Sequence, residues 1–419
     1  MGKKRYFFIG IVIALSVVGF KLRADKDNPV PEEHTDAAVL PPPYNPVAEI
    51  ETTITEFDSI LDINFKESGT VGAAAVVAYK GKIALLKCYG VRKAGSNQPV
   101  NANTIFRLAS VSKSVTGILA GILDDENLLS LDTRVVDYLP DFKLKNPEST
   151  QNLKVRHLLS HTSGLVPHAY DLMVEDKVPL EKIMERLDEV DIAAAPGQLY
   201  GYQNVMYSVY APVLKAATNK SYAELVQEKV FTPFGMHDAS TGFKAFKNNE
   251  NKAYPHTNTG NNHFAPMRLN DRYYSTAPAA GVNASISDLG QLLATLTNPD
   301  SDVISARARE TVFTPQVKSL LSRTYYRCWG HDVRNKQYAI GWRTVDYKGR
   351  RIDYHGGYVL GYKAEIAYCP EEEFGIAYLC NSPNSATAQN IPAFLDLMFA
   401  EKDKIVMQQE KSSTNSDKS

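Results

Sequence analysis

The chain has 419 residues, with 46 Lys+Arg against 47 Asp+Glu and a formal net charge of -1, which gives no electrostatic ground for binding nucleic acid or lying on an acidic membrane. Apolar residues at 44% and charged residues at 22% exclude wholesale disorder. Four cysteines (Cys88, Cys328, Cys369, Cys380) without a C-x-x-C pair exclude a disulfide scaffold, and nine histidines without an HExxH motif or a tight His/Cys cluster give no support for a metal site or a cofactor.

Lys3-Lys4-Arg5 precede an apolar run from Tyr6 to Phe20, followed by Lys21 and Arg23. Residues 1–23 therefore read as a signal peptide or a signal anchor. As a helix the 15 apolar residues would span about 22 Å against a hydrocarbon core of roughly 30 Å, and snorkelling lysine and arginine can close part of that gap. The expectation is an exported body, periplasmic or otherwise extracytoplasmic, with the N-terminal segment either removed or kept as an anchor. Residues 24–48, with Pro29, Pro31, Pro41, Pro42, Pro43 and Pro46, read as a stiff extended linker.

In the body, two apolar runs about a Lys80-Gly81 turn predict a β-hairpin over 72–89. Residues 110–234 read as mainly helical, with turns at His161–Gly164 and Pro196–Gly197. A further helix over 287–296 has Ser287 as its predicted N-cap. Strands are predicted at Tyr338–Val345, Arg351–His355, Tyr362–Tyr368 and Phe374–Cys380, with Glu371-Glu372-Glu373 at a hairpin tip. An amphipathic helix over 391–400 closes the body, and 401–419 reads as a disordered tail. Strands at both ends around helices predict an α/β (α+β) fold, with one sheet built from distant segments and a large helical insertion. A site would lie at the seam between them.

The chemistry concentrates around Ser110-Val-Ser-Lys113. Val111, Val115, Ile118, Leu119, Ile122 and Leu123 fall at helical spacing, so a helix begins near Ser110, with Lys113 beside it one turn on. A serine there has an unpaired backbone N–H at the positive end of the helix, suited to an oxyanion. A desolvated, neutral lysine can take its proton. Ser-x-x-Lys is expected by chance about once or twice in a chain this long, and an N-cap beside a solvated lysine would look the same. Two more pieces narrow the reading. Tyr202-Gln203-Asn204 offers a phenol as proton carrier and an amide to orient lysine and substrate, and Tyr354-His355-Gly356-Gly357 offers a strand whose glycines admit a substrate backbone.

With these three motifs in order, the chain resembles the serine β-lactamase and penicillin-binding-protein superfamily, in the branch of class C β-lactamases, D-alanyl-D-alanine carboxypeptidases and related esterases. Flanking stretches agree: Val155–Leu165, Phe234–Asp238, Pro278–Gly281 and Tyr338–Trp342. The resemblance implies a catalytic domain over 49–400 with a β-lactamase/transpeptidase-like fold: an α/β part at about 49–105 and 281–400, and a helical part at about 106–280. It implies Ser110 as acylated nucleophile, and Lys113 and Tyr202 as sharers of its proton. Asn204, His355, Gly356 and Gly357 would bind substrate, with the backbone N–H groups of Ser110 and Tyr358 as the oxyanion hole. His157 and His161 read as loop-forming.

The third motif departs from the β-lactamases, which carry Lys-Thr-Gly where this chain has His-Gly-Gly. A partly protonated His355 lining the cleft would then be a weaker, pH-dependent cation beside Tyr202. The function expected is a serine hydrolase acting through an acyl-enzyme on D-amino-acid (peptidoglycan-type) peptides or small esters. The alternatives are a class C-type β-lactamase hydrolysing β-lactam antibiotics, and a non-catalytic scaffold using the same cleft. Partners are small-molecule or peptide substrates, without nucleic acid.

Overall fold

The computed structural model describes residues 45–319 and 325–416. The predicted export segment and all but the end of the linker lie outside the described residues. Gly72–Tyr79 (β1) is buried at every position, so its alanines and valines show no polar alternation. Ala73, Ala75, Val77 and Tyr79 enter one core, while Ala74, Val76 and Ala78 enter the other. A turn with positive φ at Lys80 and Gly81 returns the chain as Lys82–Gly90 (β2).

The rest of the main sheet comes from the far end of the chain: Val317–Lys318 (β3), Val333–Tyr338 (β4), Arg343–Tyr347 (β5), Arg350–Val359 (β6), Tyr362–Cys369 (β7) and Phe374–Cys380 (β8). The order is β2-β1-β8-β7-β6-β5-β4-β3, antiparallel throughout. Joining β1 to β8 brings residues 300 positions apart into register, as the sequence expects of strands separated by an insertion.

Glu51–Ser68 (α1) and Asn390–Ser416 (α4) cover one face, with the Phe57 and Phe394 rings 4.9 Å apart. Ser112–Asp125 (α2) and Ile286–Leu296 (α3) join the core on the other face. The sequence reading misses α1 because only Thr53, Phe57, Leu61 and Ser68 are buried, too thin a stripe to stand out. Four further expectations need correction. α3 starts one residue earlier, because Ser285 and Asp288 form a reciprocal capping box that displaces Ser287 as the cap. The stretch 106–280 is not all helical. It holds the hairpin His256–Gly260/His263–Pro266 and two strands, Phe106–Arg107 and Ser240–Thr241, of a small sheet completed by Val282–Ala284. α4 carries the chain as helix to Ser416, where a disordered tail from Glu401 was expected.

The fourth correction bears on the site. Tyr338–Val345 is not one strand: it breaks at Ala339–Trp342, with Gly341 at φ 77°. The break is imposed by α2. A Cβ built at Gly117 would fall 2.0 Å from the Ile340 carbonyl oxygen, and one at Gly341 would fall 2.1 Å from the Lys113 carbonyl oxygen. Ser114 Oγ donates to the Gly341 carbonyl at 3.2 Å. The helix that carries the Ser-x-x-Lys motif is thus keyed backbone-to-backbone against the turn that joins β4 to β5.

Gly117→Ala should therefore destabilise the fold by about 2 kcal/mol or more, since overpacking outweighs the ~1 kcal/mol that alanine gains in a helix interior. Chemical denaturation of both forms checks this, and a stabilised variant would show the contact to be unimportant.

Candidate active site

Ser110 sits in a tight turn, Ala109–Val111, that leads directly into α2. Ala109 is held at φ 47°, a conformation an L-residue adopts only when its surroundings impose it. Leu108 N–H donates to the Val282 carbonyl at 3.0 Å, fixing the approach to the turn. On the other side lies β6. A Cβ at Gly357 would lie 2.4 Å from the Leu108 carbonyl oxygen and 2.9 Å from the Ser110 nitrogen, so only glycine lets the serine turn meet the strand.

Lys113 is fully buried. Its Nζ donates to Asn204 Oδ1 at 2.8 Å and to the Ala279 carbonyl at 3.1 Å, and lies 4.6 Å from the centre of the Tyr202 ring. Burial holds the amine well below its ordinary range; Asp171 pulls it back up and Arg343 pushes it further down. The Tyr202 hydroxyl donates to Ser110 Oγ at 2.9 Å. Burial pushes that phenol up, against a lowering influence from Arg343 and from its bond to Ser110. The resting arrangement is therefore a neutral phenol on the serine and a strongly desolvated amine behind it.

Asn204 begins the helix Asn204–Ser208 and bridges outward. Its Nδ2 donates to both carboxylate oxygens of Asp171 at 3.1 Å, and His168 Nδ1 lies 2.8 Å from Asp171 Oδ2. His157 and His161 serve the loops, as expected. His157 Nδ1 accepts from Lys154 N–H at 3.1 Å, and His161 Nδ1 accepts from Gln203 N–H at 3.2 Å, directly between the two residues of the tyrosine motif.

The structure corrects the reading of His355. It is fully buried, with Nδ1 2.9 Å from the Gly356 carbonyl and Nε2 3.1 Å from the Tyr338 hydroxyl. Burial, with Arg343 and Lys113 nearby, holds it well below its ordinary range, so it stays neutral and offers a substrate no charge. Gly356 faces away from the serine: its Cβ position points at the hydroxyls of Tyr354 and Tyr325. A cavity of about 330 Å³ opens on that side, lined by Tyr325, Trp329, Tyr354, Gly356 and Tyr358.

The cation beside the tyrosine is Arg343, at the start of β5, a residue the sequence reading passes over. It is 4% exposed; Nε donates to the Tyr325 hydroxyl at 3.1 Å and an Nη to the Tyr200 hydroxyl at 2.9 Å. Its guanidinium carbon lies 4.5–5.4 Å from the ring centres of Tyr202, Tyr325 and Tyr338. Among the described residues it has no carboxylate partner. Its only sequence clue is that it directly follows Tyr338-Ala-Ile-Gly-Trp342.

Register sets which backbone donors β6 turns toward the serine. Val359 pairs with Tyr362 across a two-residue turn, so the alternation of the ladder sends the Tyr358 N–H away from β7. On that edge β5 pairs only as far as Tyr354, because the chain breaks away at Ala339–Trp342. The backbone edge at Gly356–Tyr358 is left open next to the Ser110 turn.

A family model described as Beta-lactamase matches residues 50–397. Among curated proteins, the Burkholderia gladioli "Esterase EstB" is 31% identical over 195 residues, covering 43% of this chain and 50% of its own length. "Protein flp" of Staphylococcus aureus is 24% identical over 336 residues, covering 78% of this chain and 62% of its own. The chain thus spans about half to three-fifths of the curated relatives it matches. An octameric penicillin-binding protein homologue from Pyrococcus abyssi superimposes with a TM-score of 0.71 at 22% identity, covering 83% of this chain and 77% of that one.

Burial of neutral histidines makes stability depend on pH. His161 and His355 lie well below the ordinary histidine range and His157 is held down to about 4, so each binds a proton more readily unfolded than folded. The histidines' contribution to stability is complete above about pH 6.5 and is lost as pH falls from there toward 4, opposed in part by Asp288 and Asp353, which burial raises to about 6. The melting temperature should drop between pH 7 and pH 5, and His355→Gln should flatten that drop.

Proposed function

The chain belongs to the beta-lactamase family, and from that premise we propose that it is an exported serine hydrolase that acylates Ser110 with amide or ester substrates. The carrying observation is the buried Lys113 amine, bonded to Asn204 and packed on the ring of the tyrosine that touches Ser110 Oγ. In this reading the Ser110 proton passes to the Lys113–Tyr202 pair as Oγ attacks the carbonyl carbon. The oxyanion is held by the N–H groups of Ser110 and Tyr358. The bond to the leaving amine or alkoxide breaks, and Tyr202 delivers the proton to it. Water then attacks the acyl-enzyme, giving up its proton along the same path and restoring Ser110.

Arg343 favours substrates with a carboxylate. A buried guanidinium held by neutral hydroxyls and ring faces is short of an anion, and a peptide ending in a free D-amino acid would supply one. Simple esters, the substrates suggested by the name of the Burkholderia relative, would react without using it. The same cation would serve a β-lactam carboxylate, so the β-lactamase reading stays the second one. The intact Ser110, Lys113 and Tyr202 contacts weigh against a scaffold. Export is supported by the Lys3–Arg5 and Tyr6–Phe20 pattern.

Intact cells treated with a membrane-impermeant fluorophosphonate should show labelling of the wild type and none of Ser110→Ala. Labelling only after lysis would sink export alone, and equal labelling of both forms would sink the nucleophile. Arg343→Met should raise KM for a D-alanyl-D-alanine peptide by about tenfold or more, the loss of one charge-assisted contact, while leaving KM for a neutral ester within about twofold; any change in kcat through Lys113 and Tyr202 should be shared by both substrates. Equal effects on the KM of both substrates would remove Arg343 from carboxylate recognition.

A further inference from the structure

We propose that Asp171, on the far side of Asn204 from the nucleophile, is a positioning residue for the base, fixing which way the Asn204 amide faces and thereby leaving the Lys113 lone pair free for the serine proton. The inference rests on the reading of Lys113 as the base.

An asparagine amide has one acceptor end and one donor end, and its neighbours decide between them. When Lys113 is an ammonium it can only donate, so it holds Asn204 Oδ1 toward itself, as observed at 2.8 Å. A working base must also exist as the neutral amine, and a neutral amine can accept. In that state nothing about Lys113 prevents the amide from flipping and donating its Nδ2–H into the nitrogen lone pair. Such a bond would occupy the electron pair that the serine proton needs. Asp171 removes the choice. Its carboxylate only accepts, and both of its oxygens take Nδ2 at 3.1 Å. The amide is therefore held with its oxygen toward the lysine in either protonation state.

The carboxylate acts a second time through its charge. Burial drives the Lys113 amine down, and Asp171 is the anion that partly reverses this. A base that is too weak is a poor catalyst even when wholly deprotonated. Asp171 is itself anchored: it opens the short helix Asp171–Glu175, His168 Nδ1 lies 2.8 Å from it, and the helix is tied down by the Tyr273 hydroxyl donating to Glu175 at 2.8 Å. The side chain is only 17% exposed, while His168 reaches solvent at 61%. Other charged or titratable groups facing Lys113 are Arg343, Tyr202, Tyr207, His161 and His355. Burial keeps both histidines neutral and both phenols protonated, so neither pair masks the lysine.

The test is the second-order rate of Ser110 labelling by a fluorophosphonate on the full chain, measured from about pH 5 to 10 with melting temperatures alongside. Asp171→Asn keeps an oxygen that can face Nδ2 but removes the charge. Its rate should begin to rise at lower pH than in the wild type, because the lysine loses its proton more easily, and its plateau should fall. Asp171→Leu frees the amide, and its plateau should fall by about tenfold or more, short of the roughly 10²–10⁴-fold cost of losing a general base outright. Asp171→Glu should recover part of the rate. An unshifted Asp171→Asn profile with a plateau within about twofold of wild type overturns the proposal, and this variant decides the matter if Asp171→Leu fails to fold. A pH limb that disappears in His168→Ala would assign the titration to His168 and overturn it as well. Absence of labelling in the wild type would instead strike the reading of Ser110 itself, so the two failures are distinguishable.

Discussion

The arrangement depends on taking the Lys113 amine completely out of water. An ammonium buried without a counter-ion in direct contact is costly, and the fold meets that cost by shifting the group toward its neutral form. Everything around it fits this demand. The Ala279 carbonyl and Asn204 Oδ1 satisfy its donors, while the Tyr202 and Tyr207 rings close over it. The nearest carboxylate, Asp171, is held one amide away. A directly contacting carboxylate would form a buried ion pair and keep the lysine protonated; separated by Asn204, it tempers the shift without cancelling it.

Burying that lysine requires α2 to press closely against the turn between β4 and β5, and the same contact shapes the open edge of β6. Gly117 and Gly341 allow the helix and the Ala339–Trp342 segment to touch through their backbones. That contact holds the turn joining β4 to β5, and because β5 begins only at Arg343, opposite Tyr354, β6 is left unpaired beyond that residue. It also sets Arg343 at the first position of β5, where the chain re-enters the sheet against Tyr202. One packing requirement thus accounts for the position of the base, the open edge and the cation together, which is why the lesion in any one of them would be felt in the others.

How far this was legible in the sequence follows from how local each signal is. The Ser110 helix start, the Tyr202 and Asn204 pair and the glycines of β6 are short motifs whose chemistry travels with their spacing, and the structure brings all of them together. The β1–β2 hairpin, β7 and β8 were legible because apolar-rich runs between turns leave few alternatives. The break at 339–342 was not, since Tyr338-Ala-Ile-Gly-Trp-Arg-Thr-Val345 alternates well enough for a strand and the reason for breaking it lies 220 residues away at Gly117. Asp171 was invisible for a related cause: an acid in a loop gains meaning only when Asn204 is known to face it. His355 was misread because a histidine in a motif suggests an exposed, titrating group, whereas its burial is decided by Tyr338 and by the sheet.

The exchange of roles between His355 and Arg343 has a consistent physical logic. A lysine in the third motif would place an ammonium on the strand that also carries the open Tyr358 N–H. A neutral histidine there, bonded to Tyr338 and to its own strand, instead stiffens β6 and leaves the oxyanion edge without a competing charge. The cation is supplied from the neighbouring strand by a guanidinium that is positively charged at any working pH and whose donors are already oriented by Tyr200 and Tyr325. Fixing the charge in this way separates substrate recognition from proton transfer. On the proposed reading, the group offered to an anion stays charged, while the groups that would move protons, Lys113 and Tyr202, are shifted by burial and by Asp171 and Arg343. On that reading the pH dependence of acylation would belong to the lysine, and the preference for an anionic substrate to the arginine.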